Sequence, residues 1–185
     1  ISNPTVGYFE EKVKAITGAH SVTALNSGMA AISNALFAIV KSGTSVVTTR
    51  HLFGNTYSLL TSTLNDFGVE TRFCDLTNPA AVEAAIDDTT AALFLEIISN
   101  PQMEVADLLV LAEIAHRKGV PVVADTTLIP FCAFRAGDWG IDIEVVSSTK
   151  YISGGATSMG GLILDYGRFD WSKSQRLARL AGEQG

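Results

Sequence analysis

The sequence predicts an α/β fold: a mostly parallel sheet with helices on both faces. Three observations predict it. Short apolar runs rich in Val, Ile and Leu alternate with amphipathic stretches along the chain. The run Val120-Pro121-Val122-Val123-Ala124 is apolar throughout, as a strand buried on both faces requires. Glycines and Asn-Pro pairs mark the junctions.

Each element has its own signal. Asn3 and Pro4 open a first helix, Val6, Phe9, Val13 and Ile16 mark its apolar face, and Gly18 closes it. A strand follows at 21–25, then a helix over 28–41 stopped by Gly43. A strand at 45–49 leads to a helix over 55–67, stopped by Gly68. After a strand at 69–74, Asn78-Pro79 starts a helix carrying Val82 and Ile86. A strand at 91–97 precedes the loop Ser99-Asn100-Pro101. A helix over 107–118 ends at Gly119, and strands follow at 120–125, 143–147 and 160–164. The tail 171–180 reads as helix. No repeat, linker or low-complexity tract interrupts the pattern, so 1–185 reads as one domain.

Composition excludes other classes. The chain has 185 residues, 47% hydrophobic and 17% charged, with a mean hydropathy of +0.27. Disordered or disulfide-stapled chains are not built this way. A chain of this size buries roughly two thirds of its unfolded surface. So apolar a composition in so short a chain also predicts surface that something else covers. Thirteen Lys plus Arg against nineteen Asp plus Glu give a net charge of −6, and no basic stripe is present, so no nucleic-acid partner is expected. No apolar run approaches the ~20 residues of a membrane span. The first residues show no signal peptide, and Cys74 and Cys132 read as reduced thiols, so a cytoplasmic location is expected. His20, His51 and His116 form no zinc-ligand spacing, and no metal is expected.

In open sheets of this kind ligands sit beyond the carboxyl ends of the strands. Beyond successive strands lie Asn26-Ser27-Gly28-Met29, then Phe53-Gly54-Asn55, then Asn100-Pro101, then Asp125 with Thr127, then Ser147, Thr149 and Lys150. Each has an ordinary reading. Ser27-Gly28-Met29 is a capped helix start, yet such a start also binds phosphate. GxGxxG, the GxxxxGK[ST] loop and GxSxG are all missing, which removes dinucleotide, P-loop and hydrolase-elbow readings. Asp125 could cap the next loop, or it could pair with a protonated ring nitrogen, because a carboxylate after so apolar a run needs a partner. Lys150 could be a surface lysine or a Schiff-base amine. Phe53 could be core or a stacking platform. Gly154, Gly155, Gly160 and Gly161 could be plain turns or make room for a bulky ligand. Taken in order, the set matches what pyridoxal 5'-phosphate needs: a lysine for its aldehyde, an acid for its ring nitrogen, a helix start and hydroxyls for its phosphate, and a cover for its ring.

The chain resembles the Cys/Met-metabolism family of pyridoxal-phosphate enzymes. The matching segments are Ser2-Asn3-Pro4-Thr5, Asn26-Ser27-Gly28-Met29-Ala30-Ala31, Phe53-Gly54-Asn55-Thr56, Glu96-Ile97-Ile98-Ser99-Asn100-Pro101, Asp125-Thr126-Thr127 and Ser147-Ser148-Thr149-Lys150-Tyr151. The resemblance implies the large domain of a fold-type I enzyme, like that of aspartate aminotransferase. It implies that Lys150 carries the cofactor and then moves protons, and that Asp125 pairs with the ring nitrogen. Gly28 and Met29 would give backbone N–H groups to the phosphate, with Ser27 at the helix start and Ser147 and Thr149 adding hydroxyls. Phe53 would stack on the ring, Asn100 would sit near its hydroxyl, and Thr127 beside it.

Three departures refine this. The family usually has tyrosine where this chain has Phe53, and phenylalanine has no proton to give a leaving group. Acetate departs without one, which favours an acyl-homoserine substrate. Asn55 stands where methionine γ-lyases carry cysteine. Thr126 replaces the usual asparagine and leaves the acid in place. The resemblance is closest to the O-acetylhomoserine sulfhydrylase branch. It implies γ-replacement on O-acetyl-L-homoserine by sulfide or a thiol, giving homocysteine or methionine, in a homo-oligomer, by resemblance a tetramer. A γ-lyase or cystathionine γ-synthase stays open, as does a non-catalytic fragment that holds cofactor or oligomerises. Family members are roughly twice as long. Residues 1–185 are therefore expected to be the cofactor-binding large domain, without the N-terminal arm and the small C-terminal domain.

Overall fold

The computed structural model describes residues 3–174, 177 and 180. Helix α1 (Pro4–Thr17) is started by Asn3, whose side chain accepts the Thr5 amide at 3.0 Å, and is closed by Gly18 at φ 74°. Strand β1 (Ser21–Leu25) and helix α2 (Gly28–Ile39) follow. Then come β2 (Ser45–Thr48), α3 (Gly54–Ser58), β3 (Glu70–Phe73), α4 (Pro79–Ala85), β4 (Thr90–Glu96) and α5 (Leu108–Arg117). β5 (Val122–Asp125), β6 (Ile143–Val146) and β7 (Gly161–Asp165) complete the order. Asn78 caps α4 and Asp107 caps α5, each through a side-chain oxygen that accepts first-turn amides.

The seven strands form one sheet in the order β1-β7-β6-β5-β4-β2-β3. β3, β2, β4, β5 and β6 pair in parallel. β7 runs antiparallel to β6, and β1 antiparallel to β7. Six strands therefore share one direction, and β7 alone runs back.

Period-two alternation sends successive strand residues to opposite faces, and both faces are buried. Val47, Leu93, Leu95, Val122 and Ala124 join a core with Val13 of α1, Val82 of α4 and Leu111 of α5. Their neighbours Val46, Phe94, Val123 and Val145 join a second core with Leu36 and Ile39 of α2 and with Leu60 and Leu64. The sheet is thus sandwiched between two helical layers.

The margins of the sheet are occupied. At β1, the Ala24 amide donates to Glu10 Oε1 of α1 at 2.7 Å. At β3, Arg72 is paired with Glu70 at 2.8 Å and with Asp87 at 2.6 Å.

One expectation is corrected, and another lies largely outside the described residues. The single helix over 55–67 is α3 followed by a π-helical stretch, Leu59–Leu64. The Leu60 carbonyl accepts the Thr71 hydroxyl of the neighbouring strand at 2.9 Å, and Leu60 and Leu64 both reach the core. A side chain that takes a helix carbonyl loosens the regular ladder there. In the tail, the structure shows one 3₁₀ turn, Trp171–Lys173, and most of the rest of the predicted helix (175, 176, 178 and 179) lies outside the described residues. Among the described residues no helix is long and apolar enough to cross a membrane.

Candidate active site

The shared strand direction gathers the carboxyl ends of β1, β2, β4, β5 and β6 on one edge of the sheet, next to the amino end of β7. A cavity of about 290 Å³ opens there. Ser27, Gly28 and Met29 line it from the start of α2, and Phe53 from the turn ahead of α3. Asn100 comes from the loop after β4, Asp125 and Thr127 from the end of β5, and Ser147, Thr149 and Lys150 from the segment after β6. All ten residues given a role toward the cofactor in the sequence lie on this one cavity, whereas Gly154, Gly155, Gly160 and Gly161 do not line it. Asn55, Glu96, Ile98 and Leu128 line it as well.

Close backbone approach builds one wall. Ser27 is extended (φ −162°) and caps α2 by accepting the Ala30 amide at 3.1 Å. The first-turn amides of Gly28 and Met29 have no acceptor inside the helix. A Cβ on Gly28 would lie 2.6 Å from Ser147 Cβ, and one on Gly161 would lie 2.0 Å from the Ser27 carbonyl oxygen. Only hydrogen at these two positions lets α2, β6 and β7 meet. The Thr149 hydroxyl is engaged with the backbone of Gly160, at 3.2 Å from its nitrogen and 3.3 Å from its oxygen.

The acid and the amine stand in different surroundings. Asp125 is mostly buried at the end of β5, and burial pushes its carboxyl above the ordinary carboxylate range. Hydrogen bonds from Thr127 oppose that shift, the amide at 2.9 Å. Thr127 also accepts the Ser147 amide at 2.8 Å, which joins the ends of β5 and β6. Among the described residues Asp125 has no cationic partner. Lys150 is exposed yet borders the same cavity. Phe53 is 46% exposed, so its ring is available to cover something planar.

A family model for Cys/Met metabolism PLP-dependent enzymes matches residues 1–184. The chain belongs to this family. Among curated relatives, the O-acetyl-L-homoserine sulfhydrylase of Corynebacterium glutamicum is 35% identical over 173 residues, 93% of this chain and 40% of that protein. The homocysteine synthase of Schizosaccharomyces pombe is 38% identical over 94% of this chain and 41% of its own length. Among solved structures, the O-acetylhomoserine sulfhydrylase of Wolinella succinogenes superposes with a TM-score of 0.89 at 51% identity, covering 96% of this chain and 51% of that one. A putative O-acetylhomoserine (thiol)-lyase of Campylobacter jejuni, which contains a pyridoxyl-lysine, has a TM-score of 0.90 at 30% identity and is covered over 44% of its length. The chain thus spans about two fifths of the curated relatives it matches.

The residues present fit the family's cofactor. A mostly buried carboxylate with no cation beside it among the described residues suits a protonated ring nitrogen, and free first-turn amides beside the Ser147 hydroxyl suit a phosphate. Lys150 supplies the one amine on the cavity lining. Sequence reasoning quoted Glu96 as part of a motif but gave it no role in the site. Glu96 lies beside Asp125 in the β4–β5 register, and its Oε1 accepts the Phe53 amide at 2.5 Å. Burial, helped by the neighbouring Asp125 charge, pushes Glu96 up to about 7. The available signal was the one used for Asp125: a carboxylate that ends an apolar strand.

Proposed function

We propose that this chain forms the cofactor-binding large domain of a pyridoxal-phosphate-dependent enzyme that replaces the acetyl ester of O-acetyl-L-homoserine with sulfide or a thiol. The observation that carries the reading is that Lys150, the acid Asp125 and the start of α2 border one cavity. The substrate class rests on Phe53, which has no hydroxyl to protonate a leaving group, and on the sulfhydrylase relatives. Work in the cytoplasm as a homo-oligomer, a tetramer, belongs to the same proposal.

Pyridoxal phosphate, when bound, supplies an electron sink for charge that develops on the amino-acid carbons. The chain's own residues would do the rest. Gly28 and Met29 amides, with the hydroxyls of Ser147 and Thr149 and the Ser27 cap, would hold the phosphate. Asp125 would keep a proton on the ring nitrogen. Phe53 would cover one ring face, Thr127 would sit beside the ring, and Asn100 would bind its hydroxyl. Lys150 Nζ would hold the cofactor and carry protons at the α- and β-carbons. Acetate leaves with the pair of the C–O bond, and sulfur forms the new bond at the γ-carbon, so O-acetylhomoserine and hydrogen sulfide give homocysteine and acetic acid.

The test is borohydride reduction of the longest protein that carries this sequence, followed by peptide mapping. A pyridoxyl label on Lys150 is expected, and a map without it overturns the reading. Homocysteine should form from O-acetylhomoserine only when sulfide is added. Keto acid and ammonia, formed with or without sulfide, would make the protein a γ-lyase instead.

A further inference from the structure

Two acids join the segments that border the cavity from β2 and from β4. Glu96 ends β4, and its Oε1 accepts the Phe53 amide at 2.5 Å, across 43 residues of sequence. This carboxylate, on the last residue of β4, therefore holds the turn ahead of α3. The second tie lies next to it. His51 Nδ1 and Glu104 Oε2 are 2.5 Å apart. Glu104 is itself fixed on Ser99: its amide donates to Ser99 Oγ at 2.9 Å, and its carbonyl accepts the Ser99 amide at 3.0 Å.

Phe53 needs such an anchor. It precedes α3 without a side-chain capping bond, and its ring is half exposed. Its carbonyl accepts the Tyr57 amide at 2.9 Å, which orders the helix that follows. Its amide is the point that ties the turn back to the sheet. A carboxylate acceptor makes that tie stronger than a neutral one would. The acid form keeps a carbonyl oxygen that accepts an amide, so the tie survives protonation.

We propose that Glu96 is a positioning residue: it clasps the Phe53 turn to the end of β4, so that the ring cover borders the cavity in one fixed place. The clasp is a property of the chain alone. Its consequence for a bound ring rests on the function proposed above.

The test compares wild type, Glu96→Leu and Glu96→Gln in the longest protein that carries this sequence, by hydrogen exchange without cofactor and by pyridoxal 5'-phosphate titration. Losing a hydrogen bond to a charged acceptor should speed exchange of the Phe53 amide on the order of tenfold in Glu96→Leu, with β4 and β5 unchanged. Glu96→Gln retains a carbonyl acceptor and should restore most of the protection. Cofactor affinity should follow the same order, falling on the order of tenfold in the leucine variant alone. Equal protection of Phe53 in wild type and Glu96→Leu, or no rescue by glutamine, overturns the clasp. A wild-type protein that takes up no cofactor overturns the functional reading instead, while the exchange data still judge the clasp.

Discussion

Asp125 sits where a charge is costly. Nothing cationic among the described residues balances it, and burial already pushes it toward the neutral acid. Replacing it with asparagine keeps the shape and an acceptor for the Thr127 amide. The cofactor-free protein should then gain stability, with Tm at pH 8 rising by ~2–4 °C. Turnover should fall on the order of a hundredfold, since the ring nitrogen loses its charged partner. Opposite signs in calorimetry and in steady-state assays are the expected result, and a destabilised apo protein would contradict it. Asp125 and Lys150 were legible in the sequence because one ends β5 and the other lies four residues beyond β6, and strand ends fix their place. Glu96 shares that position, but its role is made by a contact with Phe53 that no local pattern reports.

At the scale of elements, the start of α2 is pinned by what Gly28 lacks. Gly28→Ala would set a methyl 2.6 Å from Ser147 Cβ and 3.0 Å from its Cα. The helix start and the segment after β6 must then separate. We expect a loss of about 1–3 kcal/mol by denaturant titration, together with weaker binding of pyridoxal 5'-phosphate. Unchanged affinity in a folded variant would detach α2 from the phosphate. Helix starts were the most readable features of this sequence, because Asn3, Asn78 and Asp107 cap through their own side chains. The π-helical stretch was not, since the hydroxyl that bonds its Leu60 carbonyl, Thr71, comes from a strand later in the chain. The reversal of β7 leaves a trace that is easily passed over: no helix separates β6 from β7, and a parallel return would need one.

Across the whole molecule, three carboxyls and one imidazole titrate above their ordinary values. Burial raises Glu96 to about 7 and also raises Asp125 and Glu144, the latter bonded by the Thr126 and Tyr166 hydroxyls. His116 is raised by its bond to Asp142 at 2.7 Å. Raised groups stabilise fully below their unfolded values and lose that contribution as pH rises through their folded ones. For Glu96 that window runs from 4.5 to about 7, and for His116 it lies above 6.5. Glu70 and Asp87, both lowered and beside Arg72, act in reverse and lose their contribution below the ordinary carboxylate range. Thermal stability of the cofactor-free protein should therefore peak in mild acid and decline toward pH 8. Scans across pH at fixed ionic strength will show it, and a maximum at pH 8 would refute it. The sandwich itself was legible because both faces of its central strands are apolar.

The occupied margins of the sheet carry a last implication. An open strand is a template onto which another strand can be laid, and that is how sheets propagate from one chain to the next. Here Glu10 occupies an outward-facing amide at one border, and a cluster of charges around Arg72 guards the other. Copies of this molecule should therefore resist fibrillar stacking, and should meet one another through helices and loops.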